Sequence, residues 1–79
     1  MHLEIITPDK KIYTGNVTSV QLPGVDGYFG LQNNHAAMIS TLKAGEIKVI
    51  ENAEAPISFE VKGGVMEVNN NTIIVLAEQ

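Results

Sequence analysis

The chain has 79 residues, enough for one domain, 1–79, and a 44% apolar share supports one core. Five lysines stand against nine acids, with no arginine and a net charge of −4, which argues against nucleic acid, where affinity comes from neutralising phosphates, and removes the bidentate clamp for phosphorylated substrates. The absence of cysteine excludes disulfides, thiolate metal sites and cysteine nucleophiles, and points to a reducing compartment.

His2 to Thr7 opens the chain as a short run rich in β-branched residues. Pro8-Asp9 then presets a turn through the fixed φ of proline. Ile12 to Thr14 and Thr18 to Leu22 are further short strands, divided by a turn at Gly15. Pro23 to Ala37 breaks the pattern: it is too apolar for a solvated linker and too glycine-rich for a plain strand. It reads as a folded-back loop with a short strand near Tyr28 to Leu31. Met38 to Leu42 and Glu46 to Val49 follow, separated by Gly45. Ile57 to Lys62 alternates apolar and polar residues cleanly, as a half-buried strand does. Gly63-Gly64 reads as a turn, Met66 to Asn69 alternates again, and Asn69-Asn70-Asn71 makes a hairpin tip. Thr72 to Ala77 is nearly all apolar. Strand and turn thus repeat about every eight residues, the spacing of a sandwich or flattened barrel. The expectation is an all-β, two-sheet antiparallel β-sandwich of about eight to ten short strands with no substantial helix.

Parity along the strands marks apolar side chains that cannot all be buried. If Ile73 and Val75 face the core, Ile74 and Leu76 face away; Ile50 lies opposite Ile47 and Val49, and Ile6 opposite Leu3 and Ile5. Ile6, Ile50, Ile74 and Leu76 are therefore candidates for an exposed apolar patch, the mark of a docking surface when contiguous.

Catalysis is poorly supplied. Asp26 and His35 share the long loop and could form an acid–base pair, but no nucleophile or oxyanion donor accompanies them, and the simpler roles are a turn at Asp26-Gly27 and a loop-bound imidazole. His2 and His35 have no carboxylates at ligand spacing, so no metal is expected. Gly24-x-x-Gly27-x-x-Gly30 lacks the following helix and lysine of a phosphate loop. No cofactor, enzymatic activity or small-molecule substrate is indicated. The longest apolar run, Ile73 to Ala77, is far short of the roughly 20 residues of a membrane span, so direct membrane insertion is not expected either. An alternative from another class is a lipoyl- or biotinyl-type carrier domain, an acidic flattened barrel of about this length, with Lys43 as the modified lysine.

Leu3-Glu4-Ile5-Ile6-Thr7-Pro8-Asp9-Lys10 and Tyr13-x-Gly15-x-Val17 resemble the opening of the epsilon subunit of F-type ATP synthases. The resemblance continues through Pro23-Gly24-x-x-Gly27-x-Phe29-Gly30-Leu31, Asn34-His35-Ala36 and Leu42-Lys43-x-Gly45-x-Ile47. It closes with Gly63-Gly64-x-x-Glu67-Val68 and Val75-Leu76-Ala77-Glu78, in order over essentially the whole chain. It implies a non-catalytic central-stalk subunit of a proton- or sodium-translocating enzyme, binding the gamma subunit and the c-ring and transmitting torque. Its location would be peripheral, at the cytoplasmic face of the bacterial inner membrane. Carried over by position, the ring contact falls on Asp26, Tyr28 and His35, with tyrosine at a position often acidic in relatives. The gamma-shaft contact falls on Thr7, Ile12 and Tyr13. The helical hairpin that follows this region in longer relatives is not expected, and with it goes the helix-based inhibition of ATP hydrolysis.

Overall fold

Proline and glycine positions decide where this chain bends. The computed structural model describes residues 1–33, 36–52 and 55–79. Its strands are β1 (His2–Ile6), β2 (Lys11–Asn16), β3 (Ser19–Gly24), β4 (Gly27–Gln32), β5 (Met38–Ile50), β6 (Ile57–Asn69) and β7 (Thr72–Glu78). No helix occurs among the described residues.

All seven strands belong to one hydrogen-bonded sheet, in the order β2-β1-β7-β6-β5-β3-β4. Two of them, β5 and β6, run for 13 residues each and contribute to both layers of a sandwich. Gly63 to Asn69 of β6 pairs with β7, whereas the earlier half of β6 pairs only with Gly45 to Val49 of β5. The far half of β5 pairs in turn with β3, at Ser19 to Gln21. One layer is therefore β2, β1, β7 and the adjoining halves of β6 and β5; the other is β4, β3 and the remaining halves.

The expected all-β sandwich without a helix is found among the described residues, formed by one continuous seven-stranded sheet folded on itself in place of two sheets of about eight to ten strands. The difference lies at Gly15, Gly45 and Gly63-Gly64, which sit inside strands. Glycine permits backbone conformations closed to other residues without ending hydrogen bonding. At the β6 fold line Gly64 has φ +147° and approaches the main chain of β7 so closely that a Cβ would overlap the Leu76 carbonyl oxygen. The side of β6 that faces the core changes phase across this point. Val61 is buried before it; Met66 and Val68 are buried after it. The pairing is antiparallel except for β1 with β7, which run parallel from His2↔Thr72 to Ile6↔Leu76. The hairpin at Asn70 and Asn71, both with positive φ, fixes β7 antiparallel to β6, and the first and last strands lie side by side running in the same direction.

The core fills the space between the layers. Leu3, Ile5, Met66, Val68, Ile73 and Val75 come from one side; Val20, Leu22, Leu31, Ile47 and Val49 come from the other. Full burial of such a side chain stabilises by about 1.5–3 kcal/mol. At the β2 edge the Tyr13 and Phe59 rings lie 5.5 Å apart and tilted by 59°, a favoured aromatic arrangement that seals the core.

Candidate interaction surface

The outer face of the first layer carries apolar side chains that no described element covers. Cross-strand register places Thr41, Val65, Leu76 and Ile6 in one row and Ile39, Glu67, Ile74 and Glu4 in the next. Neighbours in such rows have Cβ atoms about 4.5–5.5 Å apart and diagonal ones about 7–8 Å, so Val65, Leu76 and Ile6 adjoin directly, Ile74 flanks Leu76, and Ile39, parted from Ile74 by Glu67, joins the band diagonally through Val65. Leu76 is 57% exposed, Ile39 71% and Val65 42%; Ile6 and Ile74 are half-buried. The band is rimmed with charge. Glu4 bonds His2 Nε2 at 3.1 Å and Lys11 Nζ at 3.2 Å, and the His2 and Lys11 hydrogen bonds hold its carboxyl below the ordinary carboxylate value. Exposed aliphatic side chains grouped in this way make this face the candidate for a docking surface.

Of the four off-parity residues, the fold brings Ile6, Ile74 and Leu76 together on this face, with Leu76 exposed and the other two half-buried. Ile50 lies apart: it is half-buried on the other layer and lines an open cleft of about 670 Å³ with Ser19, Gln21, Gly30, Gln32 and Lys48. Val65 and Ile39 were missed. Val65 precedes Met66 and is out of phase with it, a signal hidden once Gly63-Gly64 is read as a turn. Ile39 becomes recognisable only when its partner Glu67 and the neighbouring Ile74 are known.

The β3–β4 hairpin projects Asp26 at its tip, exposed, with Gly27 at φ +131° completing the turn. Tyr28 follows, 51% exposed, and its hydroxyl oxygen accepts the Glu46 backbone N–H at 3.1 Å. The fold therefore brings Asp26 and Tyr28 together; His35 lies outside the described residues.

Thr7, Ile12 and Tyr13 present less surface. Thr7 is buried, and its main chain and hydroxyl bond Lys10 across the Pro8-Asp9 turn at 2.8–3.2 Å. A register shift opposite Ile5 and Ile6 makes Ile12 an extra residue in β2, and both Ile12 and Tyr13 pack against the core. Such bulges re-aim side chains in this way. The Tyr13 hydroxyl donates to the Glu51 carboxylate. Burial, reinforced by that carboxylate, pushes the phenol up to about 12.

This two-layer sheet with an uncovered outer face has counterparts. The family model for the ATP synthase delta/epsilon chain β-sandwich domain matches residues 1–79. The chain belongs to that family. It is 40% identical over 76 residues to the ATP synthase epsilon chain of Chlorobium limicola, an alignment covering 96% of this chain and 86% of that one. It is 36% identical to ATP synthase epsilon chain 1 of Methylococcus capsulatus, covering 99% of this chain but 56% of that longer protein. Among solved structures, a chain from the central stalk/c-ring of the Tetrahymena thermophila mitochondrial ATP synthase superposes with a TM-score of 0.84 over 99% of this chain and 63% of that one. At 19% identity this likeness shows the shared fold.

The delta/epsilon domain leaves no place for the carrier reading of Lys43. A modified lysine must swing from a hairpin tip, whereas Lys43 lies inside β5, paired with Gly63 of β6. Among the described residues no helix is long and apolar enough to cross a membrane.

Proposed function

We propose that this chain is a central-stalk subunit of an F-type ATP synthase that couples the gamma shaft to the c-ring. The observation carrying this reading is the uncovered band of Ile6, Leu76, Val65, Ile74 and Ile39 on the outer sheet face. Its exposed aliphatic side chains and charged rim suit an apolar contact with a shaft, and Thr7, buried beside Ile6, supports it by holding the turn to Lys10. Ile12 and Tyr13 support that contact from below by fixing β2 on the core. The exposed tip formed by Asp26 and Tyr28 faces the c-ring, and His35 is assigned to the same contact; an acid there complements basic and polar ring loops.

The domain's part in energy conversion is mechanical. A two-layer sandwich with an interior packed like an organic crystal deforms little under load, so torque passes through it without a bond-forming step. The subunit has no active site of its own and takes no cofactor. It sits peripherally, at the cytoplasmic face of a bacterial inner membrane, and is held there by its partners.

The test is association with gamma. Leu76→Asp and Val65→Asp, both at exposed positions, leave the melting temperature within a few degrees of the parent and weaken co-purification with gamma by about tenfold or more, roughly 1.4 kcal/mol. Full retention of gamma by both variants rules out the apolar band as the shaft contact. Added to epsilon-depleted enzyme, the unmodified chain restores ATP-driven pumping.

A further inference from the structure

We infer that Tyr28 is a positioning residue: its hydroxyl replaces a missing rung between β3 and β5 and thereby clamps the Asp26 tip to the fold line of the sandwich. The inference rests on the reading of Asp26 as the ring-facing group.

The β3–β5 ladder runs from Ser19↔Ile50 to Gln21↔Lys48, then breaks, and resumes in a shifted register at Gly24↔Leu42. The gap falls at Pro23, whose nitrogen carries no hydrogen to donate, and the β5 segment opposite it contains Gly45 and Glu46. A strand N–H deprived of its partner needs another acceptor. The Glu46 N–H finds one in the Tyr28 hydroxyl oxygen, 3.1 Å away.

The surrounding glycine makes this contact possible. A Cβ on Gly45 would lie 2.6 Å from the Tyr28 hydroxyl and 2.8 Å from Pro23 Cβ, so any side chain at 45 expels the phenol or lifts β5. Pro23 itself, directly opposite Tyr28 in the hairpin ladder, is fully buried. The clamp has a second anchor on the hairpin's other flank, where the Val25 N–H donates to the Thr41 carbonyl at 3.2 Å. On the inner side, Phe29 lies so close to Gly24 that a Cβ there would meet its ring at 2.8 Å. The tip carrying Asp26 is thus held from both flanks, and Tyr28 supplies the hold on the outer face.

The experiment uses the full chain, ¹⁵N-labelled. Tyr28→Phe keeps the ring and removes the acceptor. Amide exchange at Glu46 then accelerates about three- to tenfold, and the order parameter of the Asp26 amide falls from about 0.85 toward 0.6, while the melting temperature stays within a few degrees. Gly45→Ala, which keeps the tyrosine but expels its hydroxyl, gives the same exchange signature at Glu46. Unchanged Glu46 exchange and an unchanged Asp26 order parameter in both variants overturn the clamp. In reconstituted enzyme, Asp26→Asn and Tyr28→Phe both weaken ring association by about threefold or more. If Tyr28→Phe loosens the tip while Asp26→Asn leaves ring association intact, the clamp stands and the ring-facing reading of Asp26 fails.

Discussion

Replacing Gly64 with alanine separates two costs that are usually entangled, because this chain supplies a control for each. At Gly64 both act: φ is +147°, and the new methyl group would overlap the Leu76 carbonyl oxygen and lie 3.1 Å from Ala77 Cα. These neighbours are main-chain atoms of β7, paired with β6 at this point, so relief requires opening the ladder. At Gly27 only the conformation acts, since φ is +131° and nothing lies within 4 Å of a built Cβ. At Gly30 neither acts, the nearest atom being the Val20 carbonyl oxygen at 3.9 Å. A residue held in an unfavourable backbone region costs about 1–3 kcal/mol, and forcing a methyl into filled space costs about 1–3 kcal/mol more. Gly64→Ala is therefore expected to lose about 3–5 kcal/mol and Gly27→Ala about 1–2 kcal/mol. Gly30→Ala is expected to gain up to about 0.5–1 kcal/mol, because glycine weakens a strand through its unfolded-state entropy. Against a total stability of about 4–12 kcal/mol for a chain of this size, the first change is close to disabling. Urea denaturation followed by circular dichroism measures all three. For a domain this small each kcal/mol moves the melting temperature by about 4–8 °C, so Gly64→Ala melts at least about 12 °C lower. Equal stability of Gly64→Ala and parent, or equal losses in Gly64→Ala and Gly30→Ala, refutes the close approach of β6 to β7.

Tyr13 makes the fold sensitive to alkali. Its phenol titrates near 12 when folded, against an ordinary value of 10.0, so the unfolded chain ionises first and stability declines from about pH 10 to 12. Tyr13→Phe flattens that decline in denaturation series across this range, and an unchanged slope contradicts the half-buried Tyr13–Glu51 contact. Glu4 acts at the other end. With its carboxyl held below the ordinary carboxylate value by His2 and Lys11, its contribution is present above that value and fades as the pH falls through the folded-state pKa. Glu4→Gln removes that part of the acid-side slope, which an acid titration of thermal stability reads. Met66 has no exposed surface and lies beside the β6 fold line; Met66→Ala leaves a cavity and costs about 2–5 kcal/mol by chemical denaturation, and a loss below about 1 kcal/mol contradicts its place in the core.

Local chemistry made much of this molecule legible in advance. Alternation in Ile57 to Lys62, the turn at Pro8-Asp9 and the asparagine hairpin at 69–71 identified an all-β sandwich. Parity in Thr72 to Ala77 alone showed that Ile74 and Leu76 must point away from Ile73 and Val75. These features depend on the two-residue period of a strand and the φ preferences of single residues, which a sequence carries in full. What it could not carry was the continuity of β5 and β6. Out-of-phase alternation before and after Gly63-Gly64 looks the same whether two strands meet at a turn or one strand rolls over; only the pairing of β6 with β5 along its whole length, and with β7 beyond the glycines, distinguishes them. The same limit hid the apolar band, because Val65, Leu76 and Ile6 become neighbours only through register between strands, β1 lying far from β6 and β7 in the chain. Tyr28 shows it in a single side chain: the sequence offers an aromatic residue in a glycine-rich segment, and tertiary structure gives its hydroxyl to a backbone N–H 18 residues away. Periodicity and turn chemistry are properties of neighbouring residues, so the sequence determined the strands' composition and their two faces. Which faces meet, and which remain open for a partner, was decided by how the single sheet folds on its glycines.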